Sequence, residues 1–202
     1  MTRAATLVDV SRLPTTVFGH RSHMWWGTLG FMLIEGTTLF VCIASYFYLR
    51  LNFTTWPPEH TLLPSVFWPT VHVGVLLASI VPIVLADRAA HRLDLGGVRR
   101  WFVVASLFAV SFLFLRWQDF LALNVRWDSN AYGSIVWFLL GTHTAHVLTD
   151  IVDTAFLATI LMTGRLDASR FVDVAENASY YYFVVLSWLP IYALLYFAPR
   201  FV

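Results

Sequence analysis

Five apolar stretches alternate with short polar segments along the chain. The first runs from about Gly27 to Leu49 and is stopped by Arg50. The second covers about Phe67 to Ala86. The third covers about Trp101 to Leu115, reaching Leu121 if Arg116 and Asp119 lie at the interface. The fourth covers about Gly133 to Met162 and the fifth about Ser179 to Phe197. A hydrocarbon core ~30 Å thick needs ~20 apolar residues to cross it as a helix, so the pattern predicts membrane spans. The intervening segments carry the breakers. LNFTTWPPEHTLLPS holds three prolines and cannot be helical throughout, because proline removes a donor and clashes with the preceding turn. DRAAHRLDLGGVRR holds four arginines and a Gly-Gly break, and GRLDASRFVDVAEN reads as a further loop. Pro69 suits a first helical turn, and Pro82 is expected to kink the far end of its span. The expected fold is all-α: an integral membrane bundle of five transmembrane helices, residues 25–202, after a polar tail over residues 1–24.

Composition supports this reading. Of 202 residues, 58% are hydrophobic and only 12% charged, against ~25% in a soluble domain. The basic residues are all arginine, and a net charge of +1 argues against nucleic acid as a partner. One cysteine, Cys42 in an apolar run, leaves no disulfide framework and no thiolate metal cluster. The tail lacks the apolar core of a signal peptide, so the first span is expected to direct insertion. Five spans put the termini on opposite sides. With the N-terminus inside, Arg3, Arg12, Arg21, Arg88, Arg92, Arg99, Arg100, Arg165 and Arg170 face the cytoplasm, and Arg50, Arg116, Arg126 and Arg200 face outward. That excess predicts a cytoplasmic N-terminus and an outside C-terminus. Trp25, Trp26, Trp56, Trp68, Trp101, Trp117 and Trp127 fall near span ends and read as interfacial anchors, as do Tyr180, Tyr181 and Tyr182.

Three ionisable residues then stand out inside the spans: Glu35, His143 and His146. Such groups are costly in a membrane and mark candidate functional positions. At ~1.5 Å per residue Glu35 lies ~13 Å from one face, and His143 and His146 lie ~15–20 Å from the other. The three fall near one level and are expected to meet if the first and fourth helices are neighbours, with Glu35 held by His143 or His146. Glu35 has two readings: a proton-handling or partner-contacting acid, or an acid hydrogen-bonded in a helix interface. His143, His146, Asp150 and Asp153 share one helical face. That face could bind zinc or iron, but no second histidine-rich helix completes a shell, and a polar seam is the plainer account. His72 is placed near the outer end of its helix. Arg88, Arg92, Arg99 and Arg100 could meet anionic lipid head groups or simply set topology. No phosphate loop, nucleophile elbow or metalloprotease motif is present, so no catalytic residue is assigned.

Four stretches resemble subunit III of the haem–copper terminal oxidases, the cytochrome c oxidase subunit III family. The first is GFMLIEGTTLFVCIASYFYLR, in which Glu35 matches the family's intramembrane acid. The second is Trp56 to Pro58 followed by HVGVLLASIVPIVLADRAAHR, in which Leu76 to Ser79 matches a leucine-alanine-serine run. The third is RWQDF, where the family has a similar aromatic and acidic exit. The fourth is YGSIVWFLLGTHTAHVL, whose Tyr132, Gly133, Ser134, Gly141, His143, His146 and Val147 match the glycine-x-histidine-x-x-histidine-valine signature and its opening. Two departures accompany these matches. The full-length family has seven helices, and this chain has five, as some bacterial oxidases do. The last span reads YYYFVVLSW where the family usually shows tryptophan-histidine-phenylalanine-valine-aspartate.

The resemblance implies a non-redox subunit of a respiratory oxidase in the bacterial cytoplasmic (inner) membrane. It implies packing against the catalytic subunit I, with subunit II in the same complex, bound phospholipid, and support for stable turnover and proton uptake. It implies no cofactor or metal in this chain, with haem and copper in the partner subunits. Glu35, His143 and His146 carry over as intramembrane polar positions with a structural or proton-related role. The alternatives are a quinol oxidase subunit III, a nitric oxide reductase accessory subunit, a stand-alone membrane metalloenzyme using His143 and His146, and a small transporter. The transporter reading lacks the repeats and broken helices expected of one.

Overall fold

The computed structural model describes residues 17–163 and 169–201. Arg3, Arg12, Arg165 and most of the tail assigned to residues 1–24 lie outside the described residues. The described elements are α1 (His23–Asn52), α2 (Phe67–His91), α3 (Leu95–Ala122), α4 (Ala131–Thr163) and α5 (Ser169–Tyr192). A π-helical turn over Ala193–Phe197 and a 3-10 turn over Ala198–Arg200 continue α5. All five helices are long and apolar enough to cross a membrane, and no strand occurs among the described residues. This is a multi-pass membrane protein.

The helix ends follow from local chemistry. Ser22 caps α1 by accepting the Met24 amide. Asp94 caps α3 by accepting the Gly97 amide at 3.1 Å. The Gly-Gly pair therefore opens α3 and does not break the chain. A Cβ on Gly97 would lie 2.4 Å from the Asp94 carboxylate and 2.9 Å from the Ala89 side chain, so glycine allows α2 and α3 to meet this closely. Between them Leu93 takes a positive φ of 56° that ends the α2 turn. At the far end the proline loop stays irregular, as its sequence predicts, and is pinned to the bundle. Ser65 N–H donates to the Ala122 carbonyl at 2.7 Å, and the Asn124 amide donates to the Leu63 carbonyl at 2.9 Å. In the next loop Arg126 bonds both oxygens of Asp128 at 3.0 and 2.9 Å, which holds that carboxyl below its usual range.

α5 is the central helix, packing on α1, α2 and α4, while α2 also lies along α3 and α4 bridges α3 and α1. Its start differs from the expected Ser179. The SRFVDVAEN part of the expected loop is a helix whose Phe171, Val172 and Val174 are buried. Amphipathicity, which a hydropathy window averages away, is what folds it. With eleven residues of α5 ahead of it, Tyr180 sits ~16 Å from the helix start. Tyr180 and Tyr181 are consequently buried core residues, not interfacial anchors. Trp56 is a second such correction. It is buried, its ring meeting Tyr46 and Tyr132 edge-on at 5.6 and 5.3 Å. The loop folds back over the bundle end and carries this tryptophan inside.

Candidate functional site

His143, His146 and Asp150 are buried, and Asp153 accepts from the Asn177 amide of α5 at 2.8 Å. Glu35 leads the inward face of α1 that continues through Leu39, Cys42 and Tyr46 at helical spacing. Its Oε2 accepts the Tyr180 hydroxyl at 2.7 Å, and its Oε1 lies 3.5 Å from His146 Nε2. The carboxylate side chain is 12% exposed. Glu35 and His146 therefore meet as their depths predict, at the outer limit of a hydrogen bond, while Tyr180 makes the short contact. His146 Nδ1 and Asp150 Oδ1 are buried without a protein partner.

Of the two histidines expected to hold Glu35, His146 is the one beside it, and His143 does not join them. Its ring points to the other side of α4. Arg116 donates to Nδ1 at 2.9 Å, and Nε2 donates to the Val184 carbonyl at 3.0 Å. Arginine only donates, so the network assigns the ring proton to Nε2. Arg116 lies 3.3 Å from Asp119 Oδ2 and 4.2 Å over the Trp188 ring. Asp119 in turn is 2.5 Å from His72 Nδ1. The Tyr196 hydroxyl donates to the Asp119 main-chain carbonyl at 2.9 Å. His72, Arg116, Asp119 and His143 are all at most 3% exposed. The bundle thus holds two polar centres, one around Glu35 and one around Arg116.

The second centre replaces the interfacial placement of Arg116 and Asp119. A buried ion pair is stabilised when its charges balance and hydrogen bonds meet its donors and lone pairs; here two imidazoles and an indole face surround the pair, while Arg116 Nε and Nη1, Asp119 Oδ1 and His72 Nε2 have no hydrogen-bond partner within the chain. A signal existed in the sequence. Asp119 lies three residues from the end of α3 and His72 five residues from the start of α2, hence at one depth near the same face. Tyr180 gave no comparable signal, because its depth depends on where α5 begins.

Beside Tyr180 a cavity of about 480 Å³ opens between the N-terminal half of α1, the end of α4 and the start of α5. Its polar lining includes Thr28, Asp153, Arg170, Asp173, Glu176 and Tyr180. Of the expected head-group residues, Arg88, Arg92 and Arg100 are exposed on this side of the bundle. Arg99 is half-buried and its Nε donates to the Leu161 carbonyl at 2.6 Å, satisfying an orphan group at the end of α4. Among the described residues, no three His, Cys, Asp or Glu side chains come together as a metal site would require.

A cytochrome c oxidase subunit 3 from Thermostichus vulcanus is 28% identical over 178 residues, covering 87% of each chain. The chain is a homologue of cytochrome c oxidase subunit III. A cytochrome c oxidase subunit 3 from Corynebacterium diphtheriae is 29% identical over 184 residues, covering 85% of this chain and 86% of its own. A probable cytochrome c oxidase subunit 3 from Mycobacterium tuberculosis is 29% identical over 150 residues, covering 70% and 71%. No family model matches the chain. These subunit 3 proteins match it over nearly equal shares of both chains, so they are of similar length to it. The homology supports a subunit of a haem–copper oxidase.

Proposed function

We propose that this chain is the non-redox subunit III of a bacterial respiratory oxidase that takes electrons from cytochrome c. It packs against the catalytic subunit I, binds phospholipid, and supports stable turnover and proton uptake by its neighbour. Haem and copper reside in the partner subunits. Residues 1–24 form a cytoplasmic tail, residues 25–202 the membrane domain, and the C-terminus lies outside the inner membrane. The single observation that carries the reading is the homology to the Thermostichus vulcanus subunit 3 over 87% of both chains. The orientation is supported by the arginine excess, which grows once Arg116 is removed from the outer count as a buried residue.

The geometry supports a proton-related part for Glu35. The carboxylate, a histidine with one free ring nitrogen and a tyrosine hydroxyl adjoin an acid-lined cavity on the cytoplasmic side. Groups that can both accept and release protons stand within contact of one another there. His143, tied to Arg116 and a carbonyl, has a structural part. Arg88, Arg92 and Arg100 are offered to lipid phosphates on that face, with Arg99 mainly closing α4. The test is to purify the oxidase with and without this chain and to follow oxygen consumption over successive turnovers. Loss of the chain leaves initial turnover intact and makes activity decay faster, and Glu35→Gln slows proton uptake without removing haem. Equal decay in both preparations contradicts the reading.

A further inference from the structure

Titratable side chains run through this bundle almost from face to face. Asp153, Asp150, His146 and His143 follow one another along α4 at three- and four-residue steps, ~5–6 Å apart. Glu35 and Tyr180 adjoin His146, and the acid-lined cavity opens at the Asp153 end. Beyond His143 the series passes to Asp119 and His72, the latter ~7 Å from the opposite end of its helix. Such a row is a hazard in a membrane that carries a proton gradient.

The row is interrupted at one level. Arg116 stands between His143 and Asp119, bonded to the one and paired with the other. Its guanidinium has no acceptor and does not give up its proton. It occupies His143 Nδ1, and the other ring nitrogen is spent on the Val184 carbonyl, so His143 has no lone pair to pass a proton onward. We propose that Arg116 is an electrostatic plug that keeps the polar seam from conducting protons across the bundle. A fixed cation in a narrow polar passage excludes protons in membrane channels by the same physics. Trp188 and Asp119 hold the charge in place. A bare unit charge ~5 Å from a passing proton, at an effective dielectric of ~20, lowers its occupancy on the order of a hundredfold. Asp119 offsets part of this, leaving an effect on the order of tenfold.

The experiment uses the full chain with the subunits that co-purify with it, reconstituted in liposomes holding a pH-sensitive dye. A valinomycin-set potassium diffusion potential drives protons in the absence of respiratory substrate, so the result does not depend on the oxidase reading. Wild type and Asp119→Asn, which keeps the cation, leak no faster than protein-free liposomes. Arg116→Gln leaks on the order of tenfold faster. The doubly neutral Arg116→Gln/Asp119→Asn variant does the same, leaves no lone buried charge, and serves if the single variant does not fold. A leaking wild type overturns the plug, as does a double variant that stays tight. So does an Asp119→Asn variant that leaks as much as the double.

Discussion

Replacing Asp119 by leucine leaves the Arg116 guanidinium buried with no counter-charge. Its remaining partners are His143 Nδ1 at 2.9 Å and the Trp188 face at 4.2 Å. His72 loses its 2.5 Å partner at the same time. Breaking one side of a buried pair costs ~3–5 kcal/mol. In a chain of about 200 residues that is a fall of ~2–4 °C per kcal/mol, or ~6–20 °C in melting temperature. Arg116→Met strands Asp119 less severely, because His72 still bonds it, and should cost ~3 kcal/mol. The double variant Arg116→Met/Asp119→Leu removes both charges and their desolvation cost, and orphans only two imidazole nitrogens at ~1–3 kcal/mol each. It should melt no lower than the Asp119→Leu variant, giving a coupling of at least ~3 kcal/mol between the two sites. The assay is a melt of the purified chain in detergent, followed by size-exclusion chromatography of heated samples. A double variant whose loss equals the sum of the two single losses would refute the reasoning, since it would mean the charges do not stabilise each other.

Three further contrasts follow from the same packing. Gly133→Ala drives a Cβ to 2.2 Å from the Arg126 carbonyl oxygen, which is backbone and cannot yield, whereas Gly141 has open space around it. Melts should show the first destabilised by ~1–3 kcal/mol and the second unchanged or raised by up to ~1 kcal/mol. Trp56→Ala removes a 4% exposed core ring and should cost ~3–5 kcal/mol, while Trp127→Ala, 61% exposed, should stay within ~0.5 kcal/mol in detergent. Arg99→Gln loses the bond to the Leu161 carbonyl and should cost ~1 kcal/mol, while Arg100→Gln should leave the melt unchanged.

The five spans were legible in the sequence because apolar length alone marks a membrane helix. The approach of Glu35 to His146 was legible too, since depth along a straight helix is arithmetic. What depth cannot give is azimuth. His143 and His146 stand three residues apart, yet one ring turns to α3 and the other to α1, and only the packing of α4 against both decides that. The same blindness put Trp56 and Tyr180 in the aromatic belt. A tryptophan near a span end reads alike whether its loop lies on the membrane or folds into the bundle. Tyr180 was misplaced because the first turns of α5 are amphipathic and escape a hydropathy count. The Arg116–Asp119 pair was hidden by the rule that charges near a helix end sit at the interface, a rule that fails where a histidine waits at the same depth on the next helix.

The central claim is that this chain is the third subunit of a haem–copper oxidase. Its most direct test is mild-detergent affinity purification of the tagged chain from native membranes, followed by an optical spectrum, copper analysis and subunit identification. The account predicts haem bands, a large multi-helix catalytic partner and copper in an electron-accepting site. A spectrum with haem but no such copper would point to a quinol oxidase, and non-haem iron to a nitric oxide reductase. A colourless chain purifying alone, where the host's other oxidase subunits stay associated, would contradict the account.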